Sequence, residues 1–248
     1  MKTNSLSAWI LAVRPYSLGN SVILVLVGSA LARTDGSFHW LPALLCLLFA
    51  VLMQCTANLV NDLWDFMKGA DKPDRLGPDR AFAKGYITLP AMKAGIVAVT
   101  LAACAAGVAL LVWALHAGAL RYGGWELVAA LACGLVIDTM LMINNFRDRE
   151  EDARCNKRTI VVCLGAGVGR WGYLALGTAA VALCLTLLFA GRTWAALLPL
   201  PYLAAHISTW RKMVRIDHGD ALNVCLGETA RNILLFGALF TLGILLGR

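Results

Sequence analysis

Charge is scarce in this chain. Asp, Glu, Lys and Arg make up 15% of its 248 residues, where soluble domains carry about 25%. A hydrophobic fraction of 59% goes with that shortage, and together they exclude an ordinary water-soluble core. No polar stretch is long enough to serve as a linker, so residues 1–248 read as a single domain. None of the eight cysteines forms a CxxC pair, and Cys46, Cys55, Cys104, Cys133 and Cys184 lie inside apolar runs. That argues against a disulfide framework or a thiolate metal site and for small buried hydrophobes. A cleavable leader is not expected either: Arg14-Pro15 breaks the first apolar run, and no small-residue cleavage site follows it.

What is present is a series of apolar runs. Seven are read as spans, near 17–33, 41–60, 94–115, 125–146, 171–190, 194–210 and 231–247, several of them close to the roughly 20 residues a helix needs to cross the hydrocarbon core. The expected fold is an all-α polytopic transmembrane helical bundle of about seven spans. If the N-terminus is cytoplasmic, 18 of the 22 Lys and Arg fall on the cytoplasmic side, and only Arg33, Arg121, Arg192 and Arg248 do not. That asymmetry orients the chain with its N-terminus cytoplasmic. The net charge of +7 does not point to nucleic acid, because the basic residues interleave with carboxylates and hug the ends of spans.

The polar residues that remain are concentrated. Asn58, Asn61, Asp62 and Asp65 end the second span at spacings of three and four, which places them on one face of a helix. Such groups lose hydration at a span's end unless a cation or charged ligand sits among them. Oxygen donors without His or thiolate suit a hard cation such as magnesium, which also bridges to phosphate oxygens. In the following loop Lys68, Lys72, Arg75, Arg80 and Lys84 alternate with Asp71, Asp74 and Asp79, a mixture able to hold a metal-bound diphosphate. A second acidic stretch ends the fourth span, with Asn144, Asp148 and Asp152 at i, i+4 and i+8. A shift of 83 positions lays Asn61 on Asn144, Asp65 on Asp148 and Arg75 on Arg158. The two stretches therefore read as matching halves that face each other.

Other positions stay open. Arg14 could reach a diphosphate or a lipid head group. Asn20 could line a pocket or bond a neighbouring helix, and Asp138 is a functional candidate by its depth or half of a buried pair. Residues 1–16 read as an interfacial lead-in. Gly165-Ala-Gly167-Val-Gly169 lacks the strand–turn–helix context of a dinucleotide site and reads as a helix break. Pro199 and Pro201 are expected to kink the sixth span, and Glu228 could pair with Arg231.

Two carboxylate clusters flanked by Lys and Arg, at the boundary between water and hydrocarbon, suit an allylic diphosphate with a long lipid tail. An ion-coupled transporter would also use intramembrane carboxylates but does not explain the Asp–Lys/Arg loops. The motifs carry a resemblance. Asn61-Asp62-x-x-Asp65 with Lys68-Gly69-Ala-Asp71-Lys72-Pro-Asp74-Arg75-x-Gly77-Pro78, and Asn144-Asn145-x-Arg147-Asp148-x-x-x-Asp152 with Lys157-Arg158-Thr159, resemble the UbiA superfamily of intramembrane aromatic prenyltransferases. Within it they are most similar to the branch acting on 1,4-dihydroxy-2-naphthoate in menaquinone biosynthesis. The likeness implies magnesium-dependent transfer of a polyprenyl group from its diphosphate to that naphthoate, with loss of carbon dioxide. It implies that Asp62, Asp65, Asp71, Asp148 and Asp152 hold magnesium-diphosphate, with Asp65, Asp148, Asp152 and Asn61 at the chemistry. Asn58, Lys68, Lys72, Arg75, Arg158, Arg14, Asn144 and Arg147 would contact substrate. It further implies a multi-pass protein of the bacterial inner (cytoplasmic) membrane with its active site toward the cytoplasm. The family usually has nine helices, and the pair absent here falls between the third and fourth spans, where Tyr122-Gly-Gly-Trp125-Glu runs straight into the fourth.

Overall fold

The computed structural model describes residues 1–69, 80–116 and 124–247, and among them the regular structure is helical throughout. Six helices are long and apolar enough to cross a membrane. The described residues group into two compact units, residues 1–25 with 39–121 and residues 26–38 with 122–248.

In the first unit, α1 (Leu6–Val13) begins at Ser5, whose hydroxyl accepts from the Ala8 amide, and ends where Arg14 turns into the left-handed region at φ 53°. The proline that follows opens α2 (Pro15–Thr34), a position where its missing N–H costs nothing. The expected interfacial lead-in is thus a short helix, and it is docked. Ala8 and Ala12 are buried with Leu59, Phe82, Ile87 and Met92, and Asn4 bonds the Thr88 amide at 3.0 Å. The Trp9 ring lies where a Cβ on Gly95 would come within 2.5 Å of it, so only glycine admits the ring there. Two helices of 28 residues, α3 (Trp40–Met67) and α4 (Leu89–His116), pack along each other. At about 1.5 Å per residue each is about 42 Å long, more than the roughly 30 Å hydrocarbon core. The excess on α3 is its polar end, which begins at Asn58.

The second unit contains α5 (Gly124–Arg147), the short α6 (Arg149–Arg154) and α7 (Ile160–Leu164), then α8 (Ala166–Thr186) with a 3₁₀ turn to Ala190. It continues with α9 (Thr193–Leu197), α10 (Leu200–Ile216) and α11 (Leu222–Leu246). Gly165, at φ +91°, separates α7 from α8, the break expected from the glycine run. Glycines also set the helix seams, as they do where membrane helices approach closely. A Cβ on Gly169 would meet the Phe146 ring at 2.6 Å, and one on Gly243 would meet the Trp194 carbonyl at 2.5 Å. The span expected at 194–210 is divided into α9 and α10 at Leu198-Pro199, because the proline has no amide to continue the ladder. None of the eight cysteines is joined in a disulfide.

The seam between α8 and α10 yields a stability test. His206 is fully buried and stacks on Tyr173 at 4.6 Å and Tyr202 at 5.4 Å. A Cβ on Gly177 would fall 2.3 Å from its ring nitrogen. The two tyrosines leave the imidazole nowhere to retreat. Gly177→Ala is expected to cost about 1–3 kcal/mol by overpacking, read as a lower thermal midpoint in detergent, whereas Gly167→Ala, with open space around it, should change little.

Candidate functional site

The end of α3 is held by arginine. Asn58, Asp62 and Asp65 are buried, as their common face predicts. Asn61, about 60° round the helix from Asn58, is exposed. The Asn58 amide donates to the Val13 carbonyl at 2.7 Å and the Ser17 hydroxyl at 2.8 Å, which ties α3 to the junction of α1 and α2. Arg14 approaches Asp62 at 3.4 Å; of the two roles open to it, this placement favours the acidic site. Asp62 also accepts from the Phe82 amide at 3.3 Å. Arg80 lies across both acids, 2.7 Å from Asp65 and 3.6 Å from Asp62. Phe82 anchors this return segment edge-on against Phe66 at 4.9 Å between centroids. Lys68 caps α3 with its ammonium 5.8 Å from the Trp64 ring centroid. Asp71, Lys72 and Arg75 lie outside the described residues.

The end of α5 is built differently. Arg147 is buried and forks onto the neighbouring Asp148, with Nε at 2.5 Å from one carboxylate oxygen and an Nη at 2.8 Å from the other. Its remaining Nη donates to Asn223 on α11 at 2.9 Å. Asp148 forms the corner between α5 and α6, and its carbonyl accepts from the Asp152 amide at 2.7 Å. Asp152 is buried, with the Lys157 ammonium at 3.4 Å. Asn144 is half-buried and Arg158 exposed. Arg147, expected to touch substrate, is here the internal partner of Asp148. Asp138 is exposed on α5, and no partner is seen for it among the described residues. Glu228 pairs with Lys212 on α10 and with the Thr209 hydroxyl at 3.0 Å, instead of with Arg231.

Each unit therefore brings together the acids that the sequence singled out and adds a cation chosen by the fold. Asn223 and Asp217 (below) are not singled out by the sequence, which counts Arg80 among the loop cations able to hold a diphosphate but does not pair it with Asp62 and Asp65. Only the need of those two buried acids for counter-charge could have pointed to that pairing. Among the described residues no three His, Cys, Asp or Glu side chains come together as a metal-binding group.

These features define a class: an all-helical, multi-pass membrane protein with two membrane-length helices that end in carboxylates braced by arginine. Comparison with known proteins makes it specific. The sequence profile of the UbiA prenyltransferase family matches residues 21–121 and 98–226, and the chain belongs to that family. It is 32% identical over 298 positions to the 1,4-dihydroxy-2-naphthoate octaprenyltransferase of Escherichia coli, covering 97% of this chain and 96% of that protein. The protein of the same name from Haemophilus influenzae is 28% identical over 309 positions, covering 100% and 98%. A shorter match, 42% identical over 66 residues, is to UbiA prenyltransferase domain-containing protein 1 of Danio rerio, covering 26% of this chain and 20% of that protein. Because 298 positions exceed the 248 residues of the chain, at least fifty of them have no counterpart residue here. That is about the length of two spanning helices with their connection. The two profile segments share residues 98–121, a range that takes in most of α4.

Proposed function

We propose that the protein transfers a polyprenyl group from an allylic diphosphate to 1,4-dihydroxy-2-naphthoate, with magnesium and with loss of carbon dioxide, giving demethylmenaquinol. The observation that carries this reading is the pair of acidic helix ends, each already furnished with basic residues. The names of the full-length relatives support the choice of acceptor. Residues 1–248 act as one domain of a bacterial inner-membrane protein, and the charge asymmetry of its loops turns the acidic ends toward the cytoplasm.

The donor set fits a hard divalent cation: Asp62 with Asp65, and Asp148 with Asp152, offer oxygen alone. Magnesium takes one or two carboxylates and fills the rest of its shell with water and phosphate, so two acids at each end suffice without a third. When bound, it neutralises the diphosphate and improves it as a leaving group. Arg80 and Lys68 at one end, and Lys157 and Arg158 at the other, take up charge that develops on the departing oxygens. Lys72, Arg75 and Asp71 complete the first set by family likeness. The apolar faces of the spans house the prenyl tail and keep water from the allylic centre. The allylic C–O bond breaks, and the ring carbon bearing the carboxylate bonds to the allylic carbon. The electron pair of the lost C–CO₂ bond then restores the aromatic ring, so this carbon needs no base.

The full-length protein in lipid, given magnesium, an allylic diphosphate and dihydroxynaphthoate, should form the decarboxylated prenyl product by mass spectrometry. Product with 4-hydroxybenzoate in its place would reassign the acceptor, and no product with any aromatic would remove the enzyme reading. Chelator in excess of magnesium should stop turnover, and added magnesium should restore it; full activity in chelator would exclude the cation.

A further inference from the structure

The turn between α10 and α11 contains a strained residue that the reaction above does not use. Asp217 sits at φ +63°, ψ −47°, and the His218 amide reaches back to the Ile216 carbonyl at 2.8 Å. This is the γ-turn form with positive φ, which is rare and unfavourable for any residue with a β-carbon. Such conformations persist only where the surroundings over-determine them, and they gather at ligand clamps and active sites.

Two arginines do the determining. Arg149 donates to the Asp217 carbonyl at 2.7 Å, and its other Nη stands 3.5 Å from the carboxylate. Arg170, at the start of α8, donates to the same carboxylate at 2.6 Å. Arg170 is fixed in turn by Trp210 of α10, whose indole N–H donates to the Arg170 carbonyl at 2.9 Å. The Arg170 guanidinium holds the Asp217 carboxyl below its ordinary range, so the clamp is charged at neutral pH. Its other end is the acidic corner itself. Arg149 follows Asp148 directly, donates to the Phe146 carbonyl at 2.9 Å and lies 4.4 Å from the Phe146 ring centroid. The last turn of α5 is therefore fastened to the α10–α11 turn through one side chain.

We propose that Asp217 is a positioning residue for the second acidic site: by clamping Arg149 it fixes the corner that presents Asp148 to a metal-bound diphosphate. The inference rests on the function proposed above, and a binding measurement tests it separately. Full-length protein in lipid nanodiscs is titrated with Mn²⁺ and inorganic pyrophosphate, followed by the Mn²⁺ EPR signal. Asp217→Gly keeps the turn, since glycine accepts positive φ, but removes the carboxylate. It should weaken Mn²⁺-pyrophosphate binding by about tenfold, the usual scale for residues that orient metal ligands. The KM for the allylic diphosphate should rise similarly, while the KM for the aromatic acceptor stays put. Asp217→Asn, which tolerates the turn and keeps an oxygen for Arg170, should recover most of the binding. Arg149→Gln opens the clamp from its other end and should reproduce the Asp217→Gly defect. Wild-type binding in Asp217→Gly, or a lower thermal midpoint with no change in binding in both Asp217→Gly and Arg149→Gln, would overturn the proposal. If wild-type protein makes no prenylated product yet its pyrophosphate binding falls in Asp217→Gly, the positioning role stands and only the assigned reaction falls.

Discussion

Asp65→Ala is expected to lower turnover on the order of a hundredfold or more, the scale for loss of a group that stabilises developing charge in a water-poor site, with the fold retained. Retention follows from the remaining contacts. Without Asp65, Arg80 keeps Asp62 at 3.6 Å, and Asp62 keeps Arg14 and the Phe82 amide. The loss of turnover follows from charge. Asp65 lies buried beside a guanidinium at 2.7 Å, and its carboxylate is the anionic oxygen that the proposed divalent cation would take. Asp65→Asn preserves shape and one hydrogen bond to Arg80 but not the charge, and should fail nearly as badly. Asp148→Ala tests the other helix end in the same way. Each single variant should also lose magnesium-dependent binding of the allylic diphosphate. Wild-type turnover in any of these variants would remove the metal–diphosphate reading, whatever happens to the thermal midpoint.

Much of this was legible because helices write their faces into the sequence at a fixed period. Asn58, Asp62 and Asp65 come out buried on one side of α3 as their spacing requires, and the break at Gly165 fell where the glycine run placed it. Legibility ended where a residue's role depends on something far along the chain. Arg80 lies 15 residues beyond Asp65, across a loop with no period to carry it. Asp217 meets Arg149 across 68 residues, and a γ-turn with positive φ has no compositional mark when its central residue is not glycine. Lys2, Trp9 and Arg14 mark the lead-in as suited to a head-group layer, but that it docks as α1 through Ala8 and Ala12 depends on Leu59, Phe82, Ile87 and Met92 far along the chain. Pro199 and Pro201 announce a kink in the sixth span, but Leu198-Pro199 divides it into two helices, since a proline has no amide to continue the ladder. Asn61, one helical step off the buried line, is exposed although its spacing grouped it with the others.

Arg147 shows how the same residue type reads differently once its partners are known. The motif alone offered it as a contact to substrate. In the fold its fork is committed to Asp148 and its last Nη to Asn223, which leaves it as the brace that aims a carboxylate. Removing one member of a buried pair leaves the other without compensation, at about 3–5 kcal/mol where burial is complete. The Asp148 side chain keeps 21% of its exposure, so Arg147→Ala should cost less, about 2–3 kcal/mol after solvent screening. In a chain of this size that lowers the thermal midpoint by on the order of 5–10 °C. Arg147→Lys should not rescue it, because a single ammonium cannot reproduce two parallel hydrogen bonds and a third to Asn223. Asn223→Ala removes only the last of these and should cost about 1 kcal/mol. Coupling gives the sharper measurement. Arg147→Ala and Asp148→Asn should be strongly non-additive in a double-mutant cycle on the thermal midpoint, since either alone breaks the same fork. If Arg147 instead reached the diphosphate, the two would add, the midpoint would hold in Arg147→Ala, and only the affinity for the allylic diphosphate would fall.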